Sequence, residues 1–406
     1  MGSQNYPLRS SGIYHNLPQF DISITNLTAI ITGAWGISGF GMLRALLDSP
    51  QRWSKIYTVS RSPPPPSMLS LLPLPLHSRI QHIPCDFVSS SSAQIASALK
   101  DAKVTADYVF YYSYLQPRPE PGAPAWSNES QLVAVNAGML STFLEALPLA
   151  GITPKRFLLQ TGGKHYGPHI GRARVPCLES DPQPRHLAPN FYYDQEDLLF
   201  EFCKKHGVGW NVIRPPWIIG ATTAAQMNAF YPFAVYAAVA AERGVPLTFN
   251  STWAVWQDDA MHSTARLTGY LSEWAVLEEK CKDEAFNSQD TSPLSWDRLW
   301  EELIRWFGVK EGFVPPRVDE SEMIEFSTGG GKKTPMGYGP PGVTRFAFTM
   351  LSWAKDPENA KAWRGVMQKH GLTSDAFEDV EGNFTFADAT FVMGGPLSMN
   401  KVSDGP

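Results

Sequence analysis

The feature that most constrains the fold is an apolar run followed by three evenly spaced glycines. The segment Leu27–Thr32 is apolar and rich in β-branched residues, which predicts a buried strand. Gly33, Gly36 and Gly39 follow at intervals of three, and apolar residues at helical spacing come next. A strand, a glycine turn and a helix open a dinucleotide-binding βαβ unit, because a pyrophosphate reaches helical N–H groups only where no Cβ intervenes. We therefore expect a side chain at Gly33 to block cofactor binding while leaving the chain folded.

The first half of the chain alternates between predicted strands and helices. Strands are predicted over 27–32, 55–60, 80–86, 107–112, 155–160 and 210–213, and helices over 93–102, 132–147 and 191–205. This alternation indicates an α/β fold with a parallel, doubly wound sheet of the Rossmann type. The predicted dinucleotide domain covers residues 27–220. It follows an N-terminal stretch, residues 1–26, that is rich in Ser, Asn and Pro and is predicted to be a loose arm.

The organisation changes after about residue 220, where strand-like runs become scarce. Helical patterns occur over about 226–243, 259–279, 296–307 and 353–371. We predict a mostly helical lobe, residues 221–406, that caps the strand ends, shapes the substrate pocket and can interleave with the first domain. The run Gly329–Thr334 is not a phosphate loop, because Phe326 and Lys333 occupy positions that need Gly and Ser or Thr. A mobile surface loop is predicted there.

Composition favours a cytoplasmic protein with a small-molecule partner. The net charge is −5 and no basic stripe occurs, so a nucleic-acid partner is not expected. No apolar run reaches about 18 residues, so no membrane span is expected. Four scattered cysteines suit neither a metal site nor a disulfide framework. The expected assembly is a monomer or a homodimer.

The end of the second predicted strand indicates which dinucleotide binds. Arg61 lies there beside Ser62, where an enzyme that prefers NADH has an acidic residue to accept from the ribose. A guanidinium with neighbouring hydroxyls suits a 2′-phosphate, so we predict NADPH as the cofactor. The alternative is an ordinary surface arginine. Asp86 follows the third strand and is predicted to accept a hydrogen bond from the adenine amino group, with Phe87 as a neighbouring cofactor contact. The alternative is that Asp86 forms a helix cap or a turn.

Further cofactor contacts are expected where other strands end. They are Trp35 and Ile37 in the glycine turn, Ser113 and Tyr114 after the fourth strand, and Ile218 after the sixth.

The candidate catalytic residues come from two separate segments. No lysine in the chain follows a tyrosine by four positions, so the Tyr-x-x-x-Lys pattern of short-chain dehydrogenases is absent. Lys164 instead follows the fifth strand, and Tyr192 opens the next helix. Both lie beside the same strand ends, so they can converge although 28 positions separate them. Tyr193 is an alternative to Tyr192, and a solvated lysine with a packed tyrosine is the alternative to a catalytic pair.

Several ordered motifs resemble one known family, the plant progesterone 5β-reductase and iridoid synthase group of extended short-chain dehydrogenases/reductases. They are Gly33-x-x-Gly36-x-x-Gly39, Val59-Ser-Arg61, Cys85-Asp86, Gln160–Pro168, Asn190–Asp197, Arg214-Pro215, Ile218–Gly220, Glu284–Asn287 and Trp296–Trp300. The resemblance implies NADPH-dependent, flavin-free reduction of a carbon–carbon double bond conjugated to a carbonyl. It also implies that Tyr192 and Lys164 are the catalytic pair and contact the cofactor.

The chemistry of this pair suits that reaction. Negative charge collects on the carbonyl oxygen as an enolate, and a phenol donor stabilises it. A nearby ammonium strengthens the donor and can hold the cofactor ribose.

The substrate is expected to be a hydrophobic enone or enal of terpenoid or polyketide size. The apolar wall is predicted from Tyr114, Tyr166, Trp217, Met227 and Phe230. Two other functions remain open at this point. One is an isomerase or cyclase that holds NADP(H) without net oxidation, which NADPH stoichiometry distinguishes from a reductase. The other is a non-enzymatic NADP sensor, which needs no polar pair at the nicotinamide.

Overall fold

The fold is built on a seven-stranded, fully parallel sheet. We describe it from a computed structural model, which covers residues 7–117, 128–223, 227–292, 294–392 and 394–404. The elements up to residue 219 are β1 Leu8–Ser11, β2 Tyr14–Pro18, β3 Leu27–Thr32, α1 Ile37–Leu47, β4 Trp53–Ser60, α2 Pro66–Leu69, β5 Ile80–Pro84, α3 Ser92–Asp101, β6 Tyr108–Tyr111, α4 Glu129–Ala150, β7 Arg156–Gln160, α5 Phe191–His206, β8 Gly209–Arg214 and β9 Ile218–Ile219. The predicted Rossmann-type α/β class is confirmed.

The second half supplies most of the remaining helices. Its elements are α6 Tyr231–Arg243, β10 Leu247–Thr248, α7 Trp253–Trp256, β11 Ser263–Thr264, α8 Ala265–Leu277, β12 Glu284–Asn287, α9 Trp296–Phe307, β13 Phe313–Val314, β14 Ile324–Ser327, β15 Val343–Phe346, α10 Met350–Ala354, α11 Pro357–His370, α12 Val380–Val392 and α13 Asn400–Asp404. Helices α6, α9, α11 and α12 pack around an aromatic core that includes Phe233, Phe249 and Trp300.

The strand order of the large sheet is β12-β8-β7-β6-β3-β4-β5. The sequence predicted six of these strands. The seventh, β12, comes from the second half and pairs in parallel with β8, so that Ala285 lies opposite Val212. This strand was missed because it is four residues long and carries only one fully buried apolar side chain, Phe286.

Helix α8 also packs against the sheet unit, although it lies after residue 220. It crosses α1 at a point where the two backbones are close. A Cβ on Gly41 would lie 2.4 Å from the Ala265 carbonyl oxygen, and a Cβ on Gly269 would lie 2.9 Å from the Gly41 oxygen. Glycine at these positions therefore permits a helix contact that any side chain would push apart. The chain thus returns to the sheet unit after entering the lobe.

The expectation of a loose N-terminal arm is wrong for residues 8–18. Strands β1 and β2 form an antiparallel hairpin that packs against α8. Leu17 is buried, and the ring of Tyr14 contacts the ring of Tyr270 edge-on, with centroids 5.5 Å apart. Residues 1–6 lie outside the described residues. The hairpin is stable because it buries apolar side chains on a helix, which an isolated hairpin cannot do.

One helix among the described residues, α4, is long and apolar enough to cross a membrane. Its Leu140, Phe143 and Leu147 are fully buried in the hydrophobic core that α4 forms with the sheet, α3 and α5. Length and composition alone are weak evidence for a span, because helices in the core of globular domains share both.

Candidate active site

A large cavity lies at the carboxyl ends of the central strands, where open α/β sheets bind their ligands. Its volume is about 820 Å³. The glycine turn, the ends of β4 to β8, and segments from the second half of the chain all line it. Every predicted cofactor residue lies on this cavity: Gly33, Trp35, Gly36, Ile37, Gly39, Arg61, Ser62, Asp86, Phe87, Ser113, Tyr114, Lys164, Tyr192 and Ile218.

The three glycines of the turn have different roles. Gly33 has φ +62°, and a Cβ there would lie 2.8 Å from the Tyr112 carbonyl oxygen. A Cβ on Gly39 would lie 2.2 Å from the Gly33 oxygen. Both positions therefore serve backbone packing, and the expectation that a side chain at Gly33 would spare the fold is wrong.

Gly36 is the glycine that opens the helix to a ligand. It is the N-cap of α1, no side chain caps that helix, and the first turn contains no acidic residue. A Cβ there would meet only the Gly33 oxygen, at 3.3 Å. The first N–H groups of a helix have no intrahelical acceptor, so this end of α1 suits a phosphate group.

Arg61 and Asp86 line the cavity beside the ends of β4 and β5. The Arg61 side chain is exposed at the end of β4. Burial alone would raise the pKa of Asp86, but hydrogen bonds from Val88 and Ser89, together with the charge of Arg61, hold it below its usual range. Asp86 is therefore an ionised acceptor at neutral pH. The arrangement places a cation and an ionised acceptor on the cavity wall.

Lys164 and Tyr192 are brought together by Asn190. Lys164 lies in a short 3₁₀ turn, Gly163–Tyr166, after β7, and Tyr192 is the second residue of α5. The Asn190 side chain caps α5 by accepting from the Tyr192 N–H at 3.1 Å. Its amide also donates to the Lys164 carbonyl oxygen at 3.0 Å. One side chain therefore fixes the lysine turn relative to the tyrosine helix.

The two neighbouring tyrosines point in different directions. Tyr192 lines the cavity, and its hydroxyl lies against the backbone of Gly162, where a Cβ would approach to 2.9 Å. Tyr193 is buried behind the turn and donates to the His165 carbonyl oxygen at 2.9 Å. Of the two, Tyr192 is the one placed to contact a ligand.

Burial changes the pKa of both polar groups of the pair. It raises the pKa of the Tyr192 hydroxyl, which keeps this group protonated at neutral pH. It lowers the pKa of the Lys164 ammonium, and the negative charge of Glu129 opposes that effect only in part. Tyr192 therefore remains a hydrogen-bond donor at neutral pH, and the pKa of Lys164 lies below that of an ordinary lysine.

A buried polar network lies behind the lysine turn. Glu196 contacts His165 Nδ1 at 3.2 Å and Arg214 Nη2 at 3.2 Å. Burial works against the charge of Glu196, but its contact with His165 and the charge of Arg214 outweigh burial and hold the pKa of Glu196 below its usual range. Such a network is costly to disrupt, so it fixes the turn between β7 and α5.

Of the five residues predicted for the substrate wall, three lie on the cavity and two do not. Tyr114, Trp217 and Met227 line the cavity. Tyr166 does not, because it is buried and its hydroxyl donates to Asn287 Oδ1 at 2.5 Å. Phe230 does not either, because its ring packs against Trp306 at the start of α6, with centroids 6.0 Å apart.

Sequence reasoning missed the wall that the C-terminal part of the chain contributes. Met261, Phe386 and Leu397 line the apolar end of the cavity, as do residues of the segment 173–177. No local motif marks these residues. Their positions depend on contacts between segments that are more than a hundred residues apart. Among the described residues no cluster of His, Cys, Asp and Glu suits a metal ion.

Comparison with known proteins identifies the family. Residues 29–328 match the PRISE-like Rossmann-fold domain. An (S)-8-oxocitronellyl enol synthase of Camptotheca acuminata is 30% identical, covering 92% of this chain and 85% of that protein. A 3-oxo-Delta(4,5)-steroid 5-beta-reductase of Arabidopsis thaliana is 32% identical over 70% of each chain. A short chain dehydrogenase of Penicillium aethiopicum is 27% identical, covering 85% of this chain and 83% of that protein.

Solved structures with the same fold are more distant in sequence. An epimerase from Methanothermobacter thermautotrophicus superposes with a TM-score of 0.52 at 14% identity, covering 73% of this chain and 82% of that one. A UDP-glucuronic acid 4-epimerase from Bacillus cereus, solved in complex with NAD, gives 0.51 at 18% identity, covering 71% and 88%. These likenesses support the fold. The chain is an oxidoreductase of the short-chain dehydrogenase/reductase type, and it belongs to the PRISE-like family that contains steroid 5-beta-reductase and 8-oxocitronellyl enol synthase.

Proposed function

We propose that this enzyme uses NADPH to reduce the carbon–carbon double bond of a hydrophobic α,β-unsaturated ketone or aldehyde. The observation that carries the proposal is the position of Tyr192 and Lys164. Both line one cavity, whose other lining residues include the glycine turn, Arg61 and Asp86, which suit a dinucleotide, and apolar side chains such as Trp217 and Phe386, which suit an uncharged substrate. The names of two relatives, a 3-oxo-Delta(4,5)-steroid reductase and an 8-oxocitronellyl enol synthase, support a carbonyl substrate.

The residues present fit NADPH. The uncapped first turn of α1 would hold the pyrophosphate, and Arg61 would pair with the 2′-phosphate. Asp86 would accept from the adenosine moiety, since its carboxylate stays ionised. The chemistry that a bound NADPH supplies is a hydride for the β-carbon of the double bond.

The protein's part is to stabilise the charge that develops on the substrate carbonyl oxygen. The Tyr192 hydroxyl donates a hydrogen bond to that oxygen, and its raised pKa keeps it from ionising instead. The Lys164 ammonium strengthens this donor and favours the enolate electrostatically. The apolar walls, including Trp217 and Phe386, exclude water and so strengthen both interactions. A proton from water then adds to the α-carbon of the enolate, which gives the saturated carbonyl compound.

The test is NADPH consumption with a panel of enones and enals, using the wild type and Tyr192→Phe. Loss of one donor at a developing oxyanion typically costs about 10²–10³ in turnover, so Tyr192→Phe should lose activity on this scale. Its NADPH affinity should hardly change, because the ring remains. Tyr111→Phe is the matched control: it removes a hydroxyl that is buried in the core without a hydrogen-bond partner among the described residues.

Three results would contradict parts of the proposal. Equal turnover in Tyr192→Phe and wild type would reject the hydroxyl donor. A silent Tyr192→Phe with an inactive Tyr193→Phe would assign the role to the next residue. Conversion of a substrate without stoichiometric NADPH oxidation would show an isomerase or cyclase instead of a reductase.

A further inference from the structure

The C-terminal segment 394–399, here called the strap, crosses the apolar end of the cavity. It runs beside the segment 173–177 and is joined to it by a parallel β-bridge between Cys177 and Leu397. The Cys177 N–H donates to the Pro396 oxygen at 2.9 Å, and the Ser398 N–H donates to the Cys177 oxygen at 2.9 Å. Two segments from opposite parts of the chain therefore form one edge of the pocket.

Side chains from the sheet unit hold the strap in place. The buried amide of Asn287, at the end of β12, donates to the carbonyl oxygens of Cys177 and Ser398 at 3.0 and 3.1 Å. Gln289 accepts from the Leu397 N–H at 2.9 Å. These hydrogen bonds hold the backbone of the strap in a fixed position relative to the sheet.

Two glycines and one leucine of the strap line the cavity. Gly394, Gly395 and Leu397 line the cavity, whereas Ser398 is buried and does not line it. A Cβ on Gly395 would lie 3.1 Å from Val175 Cγ2, and Val175 also lines the cavity. A Cβ on Gly394 would lie 2.4 Å from the terminal methyl carbon of Met261. Side chains at these two positions would therefore narrow the pocket.

Charge also limits what this end of the cavity accepts. Among the described residues, the charged side chains on the cavity are Arg61, Asp86 and Lys164, which belong to the adenosine end and the catalytic pair. The residues around the strap are apolar or small. A ligand with a buried charge would have no partner here and would be strongly disfavoured. The ligand that fits this end is an uncharged hydrocarbon group.

We propose that the strap is the specificity-determining wall of the substrate site. It limits the size of the hydrocarbon group that the substrate carries on the side away from its carbonyl. This inference rests on the proposed reduction of an enone or enal and adds the feature that selects among such compounds. The strap lies beyond residue 328, where the match to the family domain ends. Substrate size is therefore set outside the part of the chain that carries the catalytic pair.

The test uses two strap variants with opposite effects. Gly395→Val should narrow the mouth, and Leu397→Ala should enlarge the pocket. Both are assayed with NADPH on enones whose alkyl groups increase in length, and kcat and KM are measured for each. One methylene in an apolar pocket is worth roughly tenfold or more in kcat/KM, so the preferred length should shift by at least that factor. The shift should be toward shorter groups in Gly395→Val and toward longer groups in Leu397→Ala.

The control is Ser398→Ala, which alters a strap residue that does not line the cavity and should leave the length preference unchanged. NADPH affinity should stay the same in every variant. If Leu397→Ala fails to fold, Gly395→Val together with Gly394→Ala still tests the narrowing. If kcat/KM changes by the same factor for alkyl groups of every length, or does not change, the proposal is overturned.

A binding series separates this proposal from the proposed function. Saturated ketones with the same alkyl groups are titrated into the protein with NADP⁺ present, and their affinities are compared. If the wild type reduces no enone yet binds the ketones with a length preference that the strap variants shift, the function is wrong and the strap proposal is supported. If no ketone binds, the strap proposal fails as well.

Discussion

Asn190 offers the sharpest test of how the catalytic pair is positioned. Its side chain accepts from the Tyr192 N–H and donates to the Lys164 oxygen, and it also forms a hydrogen bond with the Tyr193 side chain. Asn190→Ala removes all of these bonds. Asn190→Ser keeps an oxygen that can cap α5 but has no amide to reach the lysine turn. The two variants therefore separate the helix cap from the link to Lys164.

The cost to stability follows from these contacts. Loss of an N-cap typically costs about 0.5–2 kcal/mol, and loss of a neutral hydrogen bond about 0.5–1.5 kcal/mol. Asn190→Ala should therefore lower the free energy of unfolding by about 1–3.5 kcal/mol, and Asn190→Ser by about 0.5–1.5 kcal/mol. The Lys164 oxygen keeps the Gly167 N–H as a donor at 3.1 Å, so Asn190→Ser leaves no orphaned carbonyl there. Denaturant unfolding followed by tryptophan fluorescence measures these differences.

The effect on turnover should exceed the effect on stability. A misplacement of about 1 Å at a reacting group can cost about a hundredfold in rate, so both variants should lose roughly tenfold to a hundredfold in kcat. In the Tyr192→Phe variant, adding Asn190→Ser should lower kcat much less than it does in the wild type, because the hydroxyl that Asn190 positions is already absent. If Asn190→Ser turns over at the wild-type rate, or if the two losses simply multiply, Asn190 does not position the pair.

Three further predictions concern the cofactor and the pair. Arg61→Ala should weaken NADPH binding by about 1–3 kcal/mol and NADH binding much less, and equal losses in titrations would reject the 2′-phosphate role. Gly36→Val should abolish NADPH binding in a folded protein, whereas Gly33→Ala should lower the melting temperature, because Gly33 has a left-handed backbone and no room for a Cβ. Activity should fall at alkaline pH, below the ordinary lysine pKa of about 10.4, as Lys164 loses its charge. Lys164→Arg should lack this alkaline loss, and an identical pH profile in that variant would assign the loss to another group.

The glycine turn and the neighbouring strands were predictable because they are local. Strand β3 and helix α9 occur over the predicted residues, Leu27–Thr32 and Trp296–Phe307. The apolar run predicts β3, which is buried along almost its whole length, and the helical spacing of apolar residues predicts the buried face of α9. The cavity also forms where parallel strands end, which topology dictates once the alternation of strands and helices is known.

The errors arise where distant segments decide the outcome. Tyr166 follows the Lys164 turn, so an aromatic at that position suggests a substrate wall. Its direction is set by Asn287, which is 121 positions away and lies on the strand that sequence periodicity did not indicate. The strap was missed for the same reason, since Gly394, Gly395 and Leu397 form no periodic pattern.

Asn287 also explains why reaction and substrate preference are encoded differently along this chain. Its side chain accepts from Tyr166, at the end of the lysine turn, and donates to Cys177 and Ser398 at the strap. One buried amide thus supports the catalytic turn on one side and the substrate wall on the other. The turn is built from local motifs within the family domain, whereas the wall needs a long-range contact to a segment outside it. We therefore expect relatives to share the catalytic pair while differing in the strap, because the strap can change its side chains without disturbing the turn.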